Sequence, residues 1–242
     1  MAISPKTPLI SESVSALKGI PIRDNGEPLV DFLEACPLLV LDQPRFTYRR
    51  ETLVRESVAR MLDEATRRLP DGYKLAIVEG WRAQHIQRRM HAGIRKRLQA
   101  KHPDWSSTKL TRIANQFTAP VDRRVPPPHS TGGAVDVILI KPDGSYHDHT
   151  SPFDRYDENC YYAECPGLSD RAKETRRILR AALLPTGLTN YPSEYWHWSY
   201  GDQGWSYRGG HECAIYGPTE PPGFEPAPED LVDEPLVLIE VR

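Results

Sequence analysis

Apolar and polar positions along the chain fall into two periods. In TYRRETLVRESVARMLDEATRRL, Leu53, Val58, Met61, Leu62 and Ala65 share one side and the charges take the other, which predicts an amphipathic helix over about residues 47–69. Pro70, Asp71 and Gly72 stop it, and Tyr73 to Glu79 then reads as a short strand ending at Gly80. Two further helices are expected over about 83–100 and 107–117, the second introduced by a Ser-Ser-Thr capping signal. Ala134 to Ile140 is apolar enough for a buried strand and is closed by the turn residues KPDG. A helix over about 169–184 has Ser169 or Asp170 as its cap and Pro185 and Gly187 as its stop. SEYWHWSY (193–200) and HECAIYG (211–217) read as a last pair of strands joined by GDQGWSYRGG. Residues 1–45 are irregular, with a turn at Asp24–Asn25–Gly26. Helices interleaved with a few strands that need not be parallel favour α+β, with a small, mostly antiparallel sheet and flanking helices.

Composition narrows this picture. A chain of 242 residues suits one catalytic domain over 1–217, its core at about 47–217 with the N-terminal segment packed on it. The 23 prolines gather at 120–128 and 218–235; residues 218–242 read as an acidic, Pro-rich tail, extended over the surface or disordered. A formal net charge of -2 gives no electrostatic case for nucleic acid or an anionic membrane surface as partner. No apolar run approaches the roughly 20 residues needed to span a bilayer, and the first residues lack the pattern of a secretory signal. Cys36, Cys160, Cys165 and Cys213 form no CxxC pair, so reduced thiols and a cytoplasmic location are expected. Oligomeric state is not legible, and no internal repeat is present.

Candidate chemistry begins in VPPPHSTGGAVDVILI, residues 125–140. A proline run stiffens the approach to His129, and Asp136 stands inside a strand that is otherwise Val, Ile and Leu. A carboxylate there is costly without a partner, and a metal is one of the few adequate ones. Two His and one Asp (His129, Asp136, His197) match the three-ligand pattern of zinc hydrolases, which leave a fourth position open. Glu194, three residues before His197, is a candidate base; on a regular strand the two would face opposite sides, so a bulge or turn must lie between them. The plainer uses remain open on these residues alone: a hydrogen-bonded structural histidine, a strand-end aspartate, an ion-paired glutamate, and Trp196 and Trp198 as core. His147 and His149, two apart beside a turn, are read as solvated, and Cys160 with Cys165 lacks partners for a zinc knuckle.

Four ordered segments then carry a resemblance. HSTGGAVD resembles the HxxGxAxD signature of the zinc D-Ala-D-Ala dipeptidases, a branch of the DD-peptidases; EYWH (194–197) resembles their ExWH, EGWR (79–82) their G[YW]R, and SPFDRY (151–156) a further acidic segment. Together they span about residues 70–200. The resemblance implies the hedgehog/DD-peptidase fold and one Zn2+ held by His129, Asp136 and His197. It further implies Glu194 as general base and acid and Arg82 as stabiliser of the oxyanion. Asp154 would meet the ammonium of a small dipeptide, with Tyr156 lining the pocket. The family's Ser two residues before the first ligand is Pro127 here, which leaves the carboxylate anchor to Ser130, Thr131 or another group, and leaves the preferred dipeptide open. The expected activity is hydrolysis of D-Ala-D-Ala or a related D,D-dipeptide in peptidoglycan precursor turnover or glycopeptide resistance. Its rivals are a DD- or LD-carboxypeptidase acting on longer muropeptides, and a zinc-stabilised binding module without catalysis.

Overall fold

The computed structural model describes residue 12 and residues 14–122, 124–146, 168–232, 234–237 and 239. In chain order, α1 (Val14–Lys18) leads to β1 (Leu29–Asp31), α2 (Phe32–Ala35) and β2 (Val40–Leu41). Next come β3 (Leu53–Arg55), α3 (Glu56–Thr66), β4 (Lys74–Glu79), α4 (Gln84–Lys101) and α5 (Ser107–Phe117). A 3-10 turn over Pro128–Thr131 precedes β5 (Ala134–Ile140); α6 (Asp170–Leu183), β6 (Thr189–Asn190), β7 (His197–Ser199) and α7 (Gln203–Gly209) follow. Among the described residues, five strands form one sheet in the order β2-β4-β5-β7-β6, and β1 pairs with β3 apart from it. Of these strand pairs, β2–β4 is parallel and the others are antiparallel. The architecture is α+β with a small, mostly antiparallel sheet and flanking helices.

β5 is buried along nearly its whole length, and its alternation divides the molecule. Val135, Val137 and Leu139 face a core shared with Val58, Leu62 and Ala65 of α3 and with Leu179 and Leu183 of α6. Ile138 faces the other way, against Ala76 and Val78. Asp136 follows the same alternation and leaves the main core on that second face. α3 and α6 therefore cover one side of the sheet, and the acidic residue is turned to the other.

Three stretches differ from the expectation. Residues 1–45, expected to be irregular, carry α1, β1, α2 and β2, because Leu29 to Asp31 find a partner strand in β3 and the Asp31 side chain caps α2. The expected 47–69 helix begins at Glu56, because Leu53 to Arg55 pair with β1 and the Arg55 amide donates to Gly132 O at 2.8 Å. A helix through these residues would have to give up those partners. The expected hairpin of 193–200 with 211–217 does not form. Its connection is helical over α7, capped by the Asp202 side chain, which accepts from the Trp205 amide at 2.6 Å. β7 keeps only three residues and lies between β5 and β6, while 211–217 runs beside 20–25 through the Ile22–Ala214 bridge.

The described part of 218–239 lies along α4. Leu236 joins Trp81, Ile86 and Met90 in a second buried cluster with Phe224 against it. Gly93 leaves room for this: a Cβ there would stand 3.0 Å from Leu236 O. Asp230 pairs with Arg89 at 3.2 Å. Cys36 is buried and Cys213 half-buried, both as free thiols; Cys160, Cys165, His147 and His149 lie outside the described residues. No helix among the described residues is long and apolar enough to cross a membrane.

Candidate active site

Strand register does most of the assembly. Asp136 stands opposite His197 on β7 and opposite Glu79 on β4, so all three side chains share the face away from the main core. Glu79 reaches that face through a β-bulge: Ile77 pairs with Val137 and the next pair is Glu79 with Asp136, so Val78 is the extra residue. In an unbroken ladder Glu79 would point into the Val and Leu core.

His129 arrives from the proline loop. Pro126 to Pro128 run into the 3-10 turn, and Gly132 ends it at φ 72°, a left-handed conformation that glycine adopts freely. His129 Nδ1 donates to Gly80 O at 2.8 Å, which leaves Nε2 directed at Asp136, 3.4 Å from Oδ2. The turn is anchored beneath by Arg55, 2% exposed, whose Nε donates to Thr131 O at 2.8 Å. The same guanidinium binds Asp24 Oδ2 at 2.6 Å, Gly217 O at 3.2 Å and Glu27 O, and lies 4.8 Å from the Tyr216 ring centre.

Glu194 and His197 meet through a turn. The Glu194 amide donates to Tyr191 O at 3.0 Å and the His197 amide to Glu194 O at 3.2 Å, so the backbone folds on itself before β7 starts. His197 Nδ1 then lies 2.9 Å from Asp136 Oδ1 and 4.0 Å from Glu194 Oε2. The two imidazoles stand 5.0 Å apart at 76°. Arg82, just before α4, is buried and donates from Nη1 to Gln87 Oε1 at 2.9 Å. All five residues line one cleft of about 260 Å³.

The other expected residues fare differently. Ser130 and Thr131 are buried in the 3-10 turn, and their hydroxyls donate to Pro127 O and Pro128 O, both at 2.7 Å. Thr131 still borders the cleft. Asp154 and Tyr156 lie outside the described residues. Sequence reasoning passed over Glu79, Tyr48 and Gln87, which surround Arg82. Glu79 carried the same signal as Asp136, an acid closing an apolar strand; Tyr48 and Gln87 carried none.

Burial governs the charges. It pushes the Glu194 carboxyl up to about 7, helped by the nearby Asp136 anion. Glu79 is pushed up to about 6 by burial, with Arg82 pulling it back. Burial would raise Asp136 too, but His129 and His197 hold it far below the usual carboxylate range. His129 is pushed down by burial and so favours the neutral, ligating form. Burial would also lower His197, but its hydrogen bond to Asp136 and the surrounding carboxylates raise it above the ordinary imidazole range.

Three donor atoms, one each from His129, Asp136 and His197, lie within 4.8 Å of one another. Two imidazole nitrogens and a carboxylate oxygen, with further acids around them, fit a divalent cation of the zinc type. Residues 40–215 match the peptidase family M15, described as D-Ala-D-Ala dipeptidase. The chain belongs to that family. It is accordingly a metallopeptidase of the D-Ala-D-Ala dipeptidase type. It is 27% identical over 236 residues to the D-alanyl-D-alanine dipeptidase of Synechocystis sp., covering 83% of this chain and 95% of the relative. Among solved structures it is similar to VanYB in complex with D-alanine-D-alanine (16% identity, TM-score 0.42, 72% of this chain and 87% of that one). It is also similar to the LD-carboxypeptidase LdcB (18% identity, TM-score 0.38, 79% of this chain and 77% of that one).

Proposed function

We propose that this family member is a zinc-dependent dipeptidase that hydrolyses D-Ala-D-Ala or a related D,D-dipeptide. The observation that carries the reading is the meeting of His129, Asp136, His197 and Glu194 on one wall of a cleft. His129, Asp136 and His197 would hold the ion, which supplies Lewis acidity at the scissile carbonyl and acidifies the attacking water. Glu194 takes a proton from that water and returns it to the departing amine nitrogen. Burial, which raises this carboxyl in the metal-free cleft, favours its service as a proton carrier. Arg82 meets the negative charge that grows on the carbonyl oxygen; a preorganised donor of this kind contributes about 2.7–4 kcal/mol. Water adds to the carbonyl carbon, the C–N bond breaks, and two free amino acids leave.

Asp154 is assigned to the substrate ammonium and Tyr156 to the same pocket. Ser130 is buried away from the cleft with its hydroxyl engaged in the turn, so of the two only Thr131, which borders the cleft, is placed to meet a ligand. The curated relative, named a D-alanyl-D-alanine dipeptidase, supports the substrate class. The setting that goes with it is cytoplasmic turnover or recycling of a peptidoglycan precursor, or glycopeptide resistance.

The test is metal content measured together with ninhydrin-detected cleavage of D-Ala-D-Ala, other dipeptides and a D-Ala-D-Ala-ending pentapeptide. One zinc per chain with cleavage of the dipeptide is expected. Cleavage of the pentapeptide alone would make the chain a carboxypeptidase, and zinc without cleavage a binding module.

A further inference from the structure

The bulge in β4 brings Glu79 beside Arg82, and nothing in the mechanism above accounts for it. Arg82 is held along one edge: Nη1 donates to Gln87 Oε1 at 2.9 Å and to Met90 Sδ at 2.8 Å. Gln87 is fixed in turn, donating to Thr118 Oγ1 at 2.9 Å and Ala119 O at 2.7 Å. On the opposite edge Arg82 Nε is sealed from solvent without a hydrogen-bond partner among the described residues, 3.8 Å from Glu79 Oε2. Glu79 Oε1 is sealed and unpartnered too, while Oε2 accepts from the Tyr48 hydroxyl. Two opposite charges thus face each other away from solvent, short of a hydrogen bond, where Arg82 borders the cleft. A guanidinium buried without an adjacent anion would cost several kcal/mol, so Glu79 is what allows Arg82 to stand there.

We propose that Glu79, clamped by Tyr48, is a positioning residue that fixes the Arg82 guanidinium toward the reacting carbonyl. This rests on the role given to Arg82 above. A carboxylate facing Nε fixes the second edge of a planar fork that Gln87 holds only at Nη1.

The zinc enzyme is compared with its Glu79→Gln, Tyr48→Phe, Arg82→Ala and Glu79→Gln/Arg82→Ala variants. Glu79→Gln is expected to lower kcat by roughly 10- to 100-fold, short of the loss of a whole oxyanion donor, with KM and zinc content little changed. Affinity for a phosphinate dipeptide, whose tetrahedral anion copies the transition state, should fall in step. The double variant should be no slower than Arg82→Ala, because Glu79 acts only through that side chain. Should Glu79→Gln fail to fold, Tyr48→Phe, which removes one hydroxyl, carries the same comparison. Full kcat in the Glu79 variant beside an inactive Arg82→Ala would overturn the positioning role alone, as would losses that multiply in the double variant or a loss of zinc. Full kcat in Arg82→Ala would remove the role of Arg82 itself, and this one with it.

Discussion

Glu194 and His129 sit on the same wall but do separable work, and single substitutions distinguish them. Glu194→Gln keeps the volume and polarity of the side chain while removing a base. Zinc content should be unchanged and turnover should fall by about 100- to 10,000-fold, the usual contribution of a positioned proton carrier. His129→Ala removes a donor from a set of three, so zinc and activity should disappear together; metal analysis beside the rate assay checks both. Zinc-loaded His129→Ala would take that residue out of the ligand set, and an active Glu194→Gln would require another base. The legible part of the site lies at this scale too. A charged residue inside VDVILI must have a partner, and that requirement singles out Asp136 in the sequence itself. Applied evenly it also reaches Glu79 at the end of KLAIVE. It cannot reach Tyr48 or Gln87, polar residues in contexts where either could be solvated.

At the scale of elements, the 3-10 turn depends on Gly132. At φ 72° a side chain is strained, and a Cβ there would run into Leu29 Cδ2. Gly132→Ala is therefore expected to lower the melting temperature by a few degrees, equivalent to about 1 kcal/mol or more. It should weaken zinc binding as well, because His129 rides on the turn; calorimetric melts and competition with a chelator measure the two effects. An unchanged zinc affinity would mean that the turn does not set the ligand. Element boundaries were readable where the chain itself supplies the stop. β5 covers Ala134–Ile140, bracketed by glycines and a KPDG turn, and α5 covers Ser107–Phe117 behind its serine cap. They were not readable where a distant partner decides. The helix after Thr47 is shortened by β1 and Gly132, and the 191–197 turn replaces strand pairing because Asn190 Nδ2 donates to Glu194 O and His197 O, both at 2.9 Å. The bulge at Val78 belongs to the same class, since no spacing within β4 announces it.

For the whole molecule, the cleft keeps acids close together, and that has a signature in stability. Burial raises Glu194 from 4.5 to about 7, so in metal-free protein the folded state holds a proton that the unfolded chain has released between those values. Through this group the folded protein binds more protons than the unfolded, so its contribution to stability declines as pH rises from about 4.5 to about 7. Asp136 works in the opposite sense, adding stability above its ordinary range that is lost only in strong acid. Zinc-stripped Glu194→Gln should show a shallower decline, keeping the part due to Glu79, and be more stable than its parent above neutrality; urea unfolding at about pH 5 and about pH 8 tests the difference. Equal pH dependence in both proteins would show that Glu194 is not the desolvated group.

The Arg55 guanidinium ties together four stretches that are remote in the chain: residues 24–27, Thr131, Gly217 and its own strand. A cation captured by His129 steadies the turn above that knot, and whatever steadies the turn must also steady the N-terminal stretch, by the reciprocity that binds any two linked equilibria. Occupancy should therefore be readable far from the metal, as slower deuterium uptake at the amides of Arg23 and Asn25, which are bonded to Ala214 O and Ile215 O.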